Sequence, residues 1–196
     1  MTDEERTPPK RVRFTKLQEA QLPTIVRLEQ ETSAMYYEIG FDAAEVPARI
    51  ASEISALPRQ HSVIVAEADH EVAGYAAWRD EAPGVAYVEE IGVLPEYQRF
   101  GVGRLLIEKI REEAREYRIG EIVLKCWERA SWAAAFYKRL GFVPIDEAAP
   151  QKVQTWFATK NDGRPLLRQG EQALWATVGP APHAEEFDEE EPDETA

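Results

Sequence analysis

The stretch from Val85 to Trp127 constrains the fold most, because it holds a complete strand–turn–helix–strand pattern. Val85 to Leu94 is rich in β-branched and aromatic residues and stops at Pro95, which is typical of a strand. Apolar residues then recur every three or four positions from Val102 to Tyr117, which predicts an amphipathic helix, and Glu121–Trp127 predicts a second strand. A helix that connects two strands of one sheet imposes parallel pairing. The sequence therefore predicts a mixed α/β fold with a parallel strand pair.

The turn from Gln98 to Gly103, which enters the helix, has the chemistry of an anion site. Backbone N–H groups at a helix N-terminus have no intrahelical acceptors, and the helix dipole adds partial positive charge there. Gly101 and Gly103 lack Cβ atoms, so a phosphate can approach the main chain closely. Arg99 and Arg104 bracket the turn with guanidinium groups suited to phosphate oxygens. These features predict binding of a phosphate or pyrophosphate.

Two familiar nucleotide-binding motifs do not fit this turn. A Walker loop requires Lys and then Ser or Thr after its last glycine, and here Arg104 and Leu105 follow. A dinucleotide fingerprint requires a third glycine, and its position is occupied by Leu106. The glycine pair by itself is equally compatible with a tight turn and close helix packing.

Two segments resemble the signature motifs of the GCN5-related N-acetyltransferases. Residues 91–106 read IGVLPEYQRFGVGRLL, which is similar to the family's Q/R-x-x-G-x-G/A motif following V-x-P. Residues 133–142 read AAAFYKRLGF, which is similar to its A-x-x-x-Y-x-x-x-G-F segment. The resemblance covers Val12 to Val143 in element order and is specific from Val88 to Phe142. It implies a single-domain acyl-CoA N-acyltransferase fold, in which a mixed central sheet has a splayed parallel strand pair and helices on both faces.

The resemblance also implies a donor site for acetyl-CoA. Main-chain groups of Ile91 and Val93 would pair with the pantetheine arm, and Tyr137 would protonate the leaving thiolate. The residues that would hold the pyrophosphate are Gln98, Arg99, Phe100, Gly101, Val102, Gly103 and Arg104. A tyrosine with a reference pKa of about 10 can donate a proton at neutral pH, which suits this role. Without the motif, Tyr137 would be read as a core aromatic on an apolar helix face.

Glu89 and Glu90 are the candidates for the base that takes the proton of the attacking amine. They are adjacent within an apolar strand, so regular alternation predicts that they point to opposite faces and that at most one enters the acceptor cleft. The resemblance favours Glu89, because it falls where the histone-acetylating members carry their base. Partial burial would raise the pKa of either carboxyl toward neutrality. Alternatively, both acids lie at a solvated start of the strand.

One position departs from the family pattern. Many relatives carry an Asn seven residues before Tyr137 that bonds the pantetheine arm, and this chain has Ala130 there. We expect the coenzyme to be held slightly differently at the arm, and Ser131 to cap the helix that follows. The residues expected to shape acceptor specificity lie after the first helix: Tyr36, Tyr37, Glu38 and Phe41.

The rest of the chain predicts the order β-α-α-β-β-β-α-β-α-β. Outside the stretch already described, we expect strands at residues 12–17, 62–68, 72–79 and 171–178 and helices at 19–37, 46–57, 131–140 and, less clearly marked, 150–159. Residues 1–10 are expected to form a flexible arm, 11–179 the catalytic domain, and 180–196 a disordered acidic tail.

The acidic tail carries most of the net charge of −13. Without its eight carboxylates the remaining residues carry −5, and we interpret the tail as a solvated solubiliser, with an interaction segment or an attractor for cationic substrate as alternatives. A basic stripe for nucleic acid, a membrane-length apolar run and a secretory signal are all missing from the sequence. One cysteine and three dispersed histidines predict no disulfide and no metal site. A cytoplasmic location is expected.

The sequence therefore predicts an N-acetyltransferase that transfers acetyl from acetyl-CoA to a primary amine by direct attack in a ternary complex. The acceptor is expected to be a small amine or a basic peptide, because the domain is net negative. Homodimer formation stays open. The alternative is a non-catalytic acyl-CoA sensor of the same fold. A further alternative is an interaction module whose function depends on the acidic tail.

Overall fold

The computed structural model describes residues 8–9, 11–160 and 166–179. Apart from residues 8 and 9, the predicted arm and the whole predicted acidic tail lie outside these ranges, so both stay predictions. Seven strands form one sheet: β1 Val12–Lys16, β2 Ser62–Ala68, β3 Glu71–Ala82, β4 Val85–Val93, β5 Glu121–Trp127, β6 Val143–Pro144 and β7 Glu171–Thr177. Within the same described ranges, five α-helices accompany it: α1 Leu22–Tyr37, α2 Ala51–Ala56, α3 Val102–Glu116, α4 Ser131–Arg139 and α5 Gln151–Lys160.

The sheet has the strand order β1-β2-β3-β4-β5-β7-β6. β4 and β5 pair in parallel, because α3 carries the chain back across the sheet between them, and the other neighbouring pairs are antiparallel. The mixed sheet and its parallel pair confirm the predicted fold class. The two-residue strand β6, absent from the predicted order, pairs with β7 at the sheet edge.

Helices cover both faces of the sheet. On one face, the apolar side of α3 packs with Leu106 and Ile110 fully buried, and Tyr137 and Phe142 join the same cluster. On the other face, α1 and α2 bury Leu28 and Ile54 against β2 and β3. The second face also holds α5, whose Val153 and Trp156 pack on Val85, Tyr87 and Val123. The first residues of β4 and β5 are thus covered by helices on both faces of the sheet. Beyond these residues, the two strands do not stay paired with each other along their whole length.

The predicted helix at residues 46–57 is wrong in its first half. α2 begins at Ala51, and Ile50 has an extended backbone with φ −93° and ψ 165°. The backbone N–H of Ile50 donates to the Glu53 carboxylate at 2.9 Å, which fixes the helix start. Residues 46–50 therefore form a loop, and they line one cavity together with the later residues of β4 and β5.

Candidate functional site

The parallel strands β4 and β5 separate where the candidate site begins. Their pairing runs from Val85–Glu121 to Val88–Leu124, although β4 continues to Val93 and β5 to Trp127. Two cavities open along the separated ends, of about 590 Å³ and about 540 Å³. They share four lining residues: Tyr36, Glu90, Ile91 and Tyr137. We call the first the acceptor cavity and the second the donor cavity, after the roles that the sequence predicts for their lining residues, and the shared residues mark where they meet.

The donor cavity is bounded by the predicted anion-binding turn. Gln98, Arg99, Gly101, Gly103 and Arg104 line it, together with Ile91 and Val93 of β4. The remaining two predicted pyrophosphate residues, Phe100 and Val102, are not among the lining residues, and Val102 is buried in the core at 1% exposure. Five of the seven residues predicted for the pyrophosphate therefore line this cavity.

The backbone of the turn presents the start of α3 to the donor cavity. Arg99 and Gly101 have φ angles of 71° and 83°, so the chain is left-handed on both sides of Phe100. Gly101 is the N-cap of α3. Because glycine has no side chain to cap the helix, the backbone N–H groups of the first turn have no side-chain acceptor. Arg104 donates to Glu108 at 2.6 Å along the exposed face of α3. The arrangement has the fixed dipoles and free space that a phosphate group requires.

Gln98 ties the turn back to β4. Its side-chain amide donates to the Val93 carbonyl at 2.9 Å and lies 3.5 Å from the sulfur of Met35. The Val93 carbonyl oxygen therefore already accepts one hydrogen bond. The predicted contact of Val93 with the pantetheine arm would have to use the second lone pair of this oxygen. Gln98 therefore holds the turn against β4, and it also forms part of the cavity wall.

A β-bulge in β4 places Glu89 and Glu90 on the same side of the sheet. Ala77 pairs with Glu90 and Trp78 pairs with Val88, so Glu89 is an extra residue opposite a single step of β3. Such an insertion interrupts the alternation of side chains and re-aims them. Both acids line the acceptor cavity and both contact Arg49. The expectation that they point to opposite faces is wrong, because the alternation rule assumes an unbroken ladder.

Glu89 is held as a carboxylate by cations. It accepts from Arg79 at 2.5 Å and from Arg49 at 3.3 Å, and the ring of His61 lies 3.7 Å away. Burial by itself would raise the pKa of Glu89, but the hydrogen bond and charge of Arg79, with the charge of Arg49, lower the pKa below its ordinary value. An acid that is ion-paired in this way is a weak proton acceptor.

Glu90 has the opposite environment. Burial, followed by the negative charge of Glu29, raises the pKa of Glu90 to about 8, against the lowering effect of Arg49. Its contact with Arg49 is longer than the one Glu89 makes with Arg79, at 3.3 Å. A third of its side chain remains open to the cavity. Glu90 can therefore both reach a substrate and take up a proton near neutral pH.

Tyr137 lies across the same junction on α4. It is 8% exposed and packs edge-to-face on Phe136 and Phe142, with ring centroids 5.1 and 5.7 Å away. Burial raises its pKa well above the usual value, so the hydroxyl is protonated at neutral pH. Burial likewise raises the pKa of Tyr36 to about 12 and that of Cys126 to about 11. Cys126, on β5, is thus a buried free thiol.

The residues predicted to shape acceptor specificity separate in the structure. Tyr36 lines both cavities and stacks near Phe41 and Trp132, with centroids 5.9 and 5.4 Å away. Phe41 is buried against Trp127, and Tyr37 is partly exposed and donates to the Val46 carbonyl. Glu38 is not among the residues lining either cavity. The aromatic rings around Tyr36 form one side of the junction.

Arg49 is the residue that the sequence reading missed. Its guanidinium contacts Glu89 and Glu90, each at 3.3 Å, and its backbone N–H donates to Glu29 at 3.2 Å. No local pattern marks it, because it falls within residues 46–57, for which the sequence predicts a helix. Pro47 is the residue that could have indicated a loop here, because proline fits a helix only in its first turn and fits a loop equally well.

The predicted helix cap at Ser131 is also wrong. α4 begins at Ser131 itself, and its N-cap is Ala130, which is fully buried and makes no side-chain capping bond. Within the described residues, no group of three or more His, Cys, Asp or Glu side chains is placed to hold a metal ion. No helix of the described ranges has both the length and the apolar content to cross a bilayer.

Comparison with known proteins supports this reading of the fold. A sequence model described as the acetyltransferase (GNAT) family matches residues 23–142. An acetyltransferase of the GNAT family from Staphylococcus aureus is 14% identical, with a TM-score of 0.64 over 86% of this chain and 100% of that one. The PaiA N-acetyltransferase of Thermoplasma acidophilum, solved with coenzyme A, is 16% identical, with a TM-score of 0.65 over 85% and 99%. The ribosomal-protein-S18-alanine N-acetyltransferase of Escherichia coli is 17% identical, with a TM-score of 0.60 over 89% and 98%.

Proposed function

Since the chain belongs to the acetyltransferase (GNAT) family, we propose that it transfers acetyl from acetyl-CoA to a primary amine by direct attack in a ternary complex. The observation that carries the proposal is the meeting of the two cavities at Glu90 and Tyr137, because transfer needs a base on the acceptor side and an acid beside the leaving group. The relative from Thermoplasma acidophilum, which was solved with coenzyme A, supports the assignment of the donor cavity.

The donor cavity would bind the coenzyme through the turn before α3. The first-turn amides of α3 and the guanidinium groups of Arg99 and Arg104 suit a pyrophosphate, with Gly101 providing close access. The edge of β4 beyond Val88 has no β5 partner, so main-chain groups around Ile91 are available to the amide groups of the pantetheine arm. The thioester would then lie near Tyr137, at the junction of the cavities.

Glu90 is the base in this proposal, rather than Glu89. As the amine nitrogen forms its bond to the acetyl carbonyl carbon, its proton passes to Glu90, directly or through a water molecule. The carbon–sulfur bond then breaks, and the thiolate takes the proton of Tyr137. Glu89 stays ionised because Arg79 and Arg49 hold it, and its role is to fix Arg49 beside Glu90.

A cationic acceptor fits the acceptor cavity. The described lining residues include five acids, Glu45, Glu53, Glu89, Glu90 and Glu171, against three cations, Arg49, Lys125 and Arg168, so the lining is net negative even when Glu90 is protonated. A cleft with a net negative charge attracts small amines and basic peptides and disfavours anionic acceptors. We keep the cytoplasm as the expected location, where acetyl-CoA would be available.

The test is release of coenzyme A thiol from acetyl-CoA across a panel of amines, including polyamines, aminoglycosides and basic peptides. Turnover by the native chain, with loss of turnover in Glu90→Gln and retention in Glu31→Gln on the exposed side of α1, is the expected result. Coenzyme binding without turnover on any amine would favour the alternative, a non-catalytic acyl-CoA sensor. Full activity in Glu90→Gln would remove Glu90 from the role of base.

A further inference from the structure

Glu29 is a buried acid that the proposed reaction does not use. It lies on α1, is 5% exposed, and faces the sheet beside Leu28. α1 reaches the sheet this closely because β4 has Gly92 under Leu28, and a Cβ at Gly92 would overlap the Leu28 side chain. A buried carboxylate needs donors to offset its desolvation. Its partners therefore indicate what it does.

The two oxygens of Glu29 accept from two different elements. Oε1 accepts from the Tyr75 hydroxyl on β3 at 2.6 Å, and Oε2 accepts from the backbone N–H of Arg49 at 3.2 Å. Both donors are neutral groups. The guanidinium of Arg49 is directed to Glu89 and Glu90 instead. Glu29 thus holds the backbone of the residue that contacts Glu90, while the guanidinium of that residue serves the other two acids.

The sheet register places this carboxylate beside Glu90. Ala77 pairs with Glu90 and Tyr75 pairs with Gly92, so Tyr75 and Glu90 are diagonal neighbours on one face of β3 and β4. Diagonal neighbours lie roughly 7–8 Å apart between their Cα atoms. Glu29 accepts the hydrogen bond of the Tyr75 hydroxyl over this same face of the sheet. Two acids from different elements therefore share one partly dry environment.

We propose that Glu29 is a positioning residue for Glu90: it places a second negative charge beside Glu90 and fixes the Arg49 loop, so that Glu90 holds the amine's proton more tightly. This inference rests on the proposed function, in which Glu90 is the base. Like charges that share a site disfavour ionisation of both, and they titrate as a pair. Glu29 thereby makes Glu90 a stronger base than its open side chain would be alone.

The direction of the pKa values agrees with this placement. Burial is the largest cause of the raised pKa of Glu90 and the charge of Glu29 is the second. Burial also raises the pKa of Glu29, against the lowering effects of Tyr75 and Arg49. The described titratable and charged groups that interact with Glu90 are Glu29 and Tyr36 on α1, Arg49 on the loop before α2, Tyr75 on β3, Tyr87 and Glu89 on β4 and Tyr137 on α4.

The experiment is a titration of the Glu90 carboxyl by carbon-13 NMR in the native chain, in Glu29→Gln and in Glu31→Gln. Gln is isosteric and its oxygen can still accept from Tyr75, but its NH2 cannot accept from the Arg49 N–H, so the variant removes both the charge and the Arg49 contact with little change in volume. In Glu29→Gln we expect the apparent pKa of Glu90 to fall by about one unit, a ten-fold change in its proton dissociation constant. Glu31, which pairs with Arg27 on the exposed side of the same helix, is the matched control and should leave the titration unchanged.

Activity provides a second readout. The acidic limb of the kcat/KM profile should move to lower pH in Glu29→Gln and stay in place in Glu31→Gln. If Glu29→Gln does not fold, Tyr75→Phe tests the same idea, because loss of the Tyr75 hydrogen bond disfavours the charge on Glu29 and should also lower the pKa of Glu90. A Glu90 titration that is the same in the Glu29 or Tyr75 variant as in the native chain would overturn the inference.

The NMR titration does not depend on turnover. A chain that shows the shift but acetylates no amine would therefore contradict the proposed function and leave the coupling of the two acids standing. A chain that acetylates amines with an unmoved Glu90 titration in Glu29→Gln would contradict the coupling alone.

Discussion

The two glycines where the turn enters α3, Gly101 and Gly103, are needed for different physical reasons. Gly101 has a φ of 83°, and a Cβ there would meet open space, so its backbone conformation requires glycine. Gly103 has an ordinary helical backbone, but a Cβ would come within 3.1 Å of the Phe136 ring. One glycine shapes the turn and the other allows α3 to pack on α4. The expectation that both serve close phosphate approach is too simple for Gly103.

Gly101→Ala should therefore weaken coenzyme binding without blocking the donor cavity. A left-handed alanine costs about 1–2 kcal/mol, and relief of that strain would turn the first amides of α3 away from the phosphate. Calorimetric titration with coenzyme A measures the loss. Gly141→Ala is the matched control, because Gly141 has the same φ of 83° and open space but lies outside the donor cavity. Equal losses of affinity in the two variants would contradict the assignment of the turn.

Tyr137→Phe should lower kcat by roughly 100-fold or more with little change in the KM for acetyl-CoA, because it removes the proposed acid and keeps the ring packing. Steady-state kinetics over a range of acetyl-CoA concentrations separate the two parameters. Tyr117→Phe, at an exposed tyrosine on α3's end, should behave like the native chain. A kcat unchanged by Tyr137→Phe would rule the hydroxyl out as the acid.

At the scale of elements, the site depends on how β4 is paired. The bulge at Glu89 brings two acids to one face, and the end of the β4–β5 pairing opens the cavities. α1 then approaches β4 at Gly92 and supplies Glu29 and Tyr36. The loop before α2 adds Arg49. The site is thus assembled from elements that are separated in the chain and held together by packing on one strand.

Gly92→Ala should separate α1 from β4. The added methyl overlaps Leu28, and overpacking of this kind costs about 1–3 kcal/mol. Urea unfolding gives the change in the free energy of unfolding, and the acceptor KM should rise because α1 carries Tyr36. Leu28→Ala combined with Gly92→Ala should cost less than the sum of the single changes, since the smaller side chain makes room. Strict additivity would show that α1 does not rest on Gly92.

For the whole molecule, pH links activity to stability through Glu90. A base must be deprotonated to act, so kcat/KM should rise as the pH increases through about 8, the raised pKa of Glu90. The measurement is the pH profile of thiol release at limiting acetyl-CoA. Glu90→Gln should remove this limb, and a profile that is flat from about pH 6 to 9 in the native chain would argue against Glu90.

The same group should make folding less favourable at high pH. Because the folded-state pKa of Glu90 lies above its usual value of 4.5, the folded chain binds the proton more tightly, and stability falls as pH rises from that value toward 8. We expect Glu90→Gln to be more stable than the native chain near pH 8 and the difference to shrink toward pH 4.5. Thermal melts at the two pH values check the sign. An advantage of the variant that grows on acidification would contradict it.

The sequence by itself determined the parallel strand pair, the turn before α3 and the position of Tyr137. These features are local: each lies in a contiguous run whose periodicity, glycines and proline fix the backbone, and the run from Gln98 to Gly103 carries its chemistry in its own amides. The tertiary structure decided the rest. Whether Glu89 and Glu90 alternate depends on their pairing with β3, and their opposite pKa shifts depend on Arg79, Arg49 and Glu29, which are distant in the chain. Register and burial arise from contacts between elements, and no local pattern encodes them.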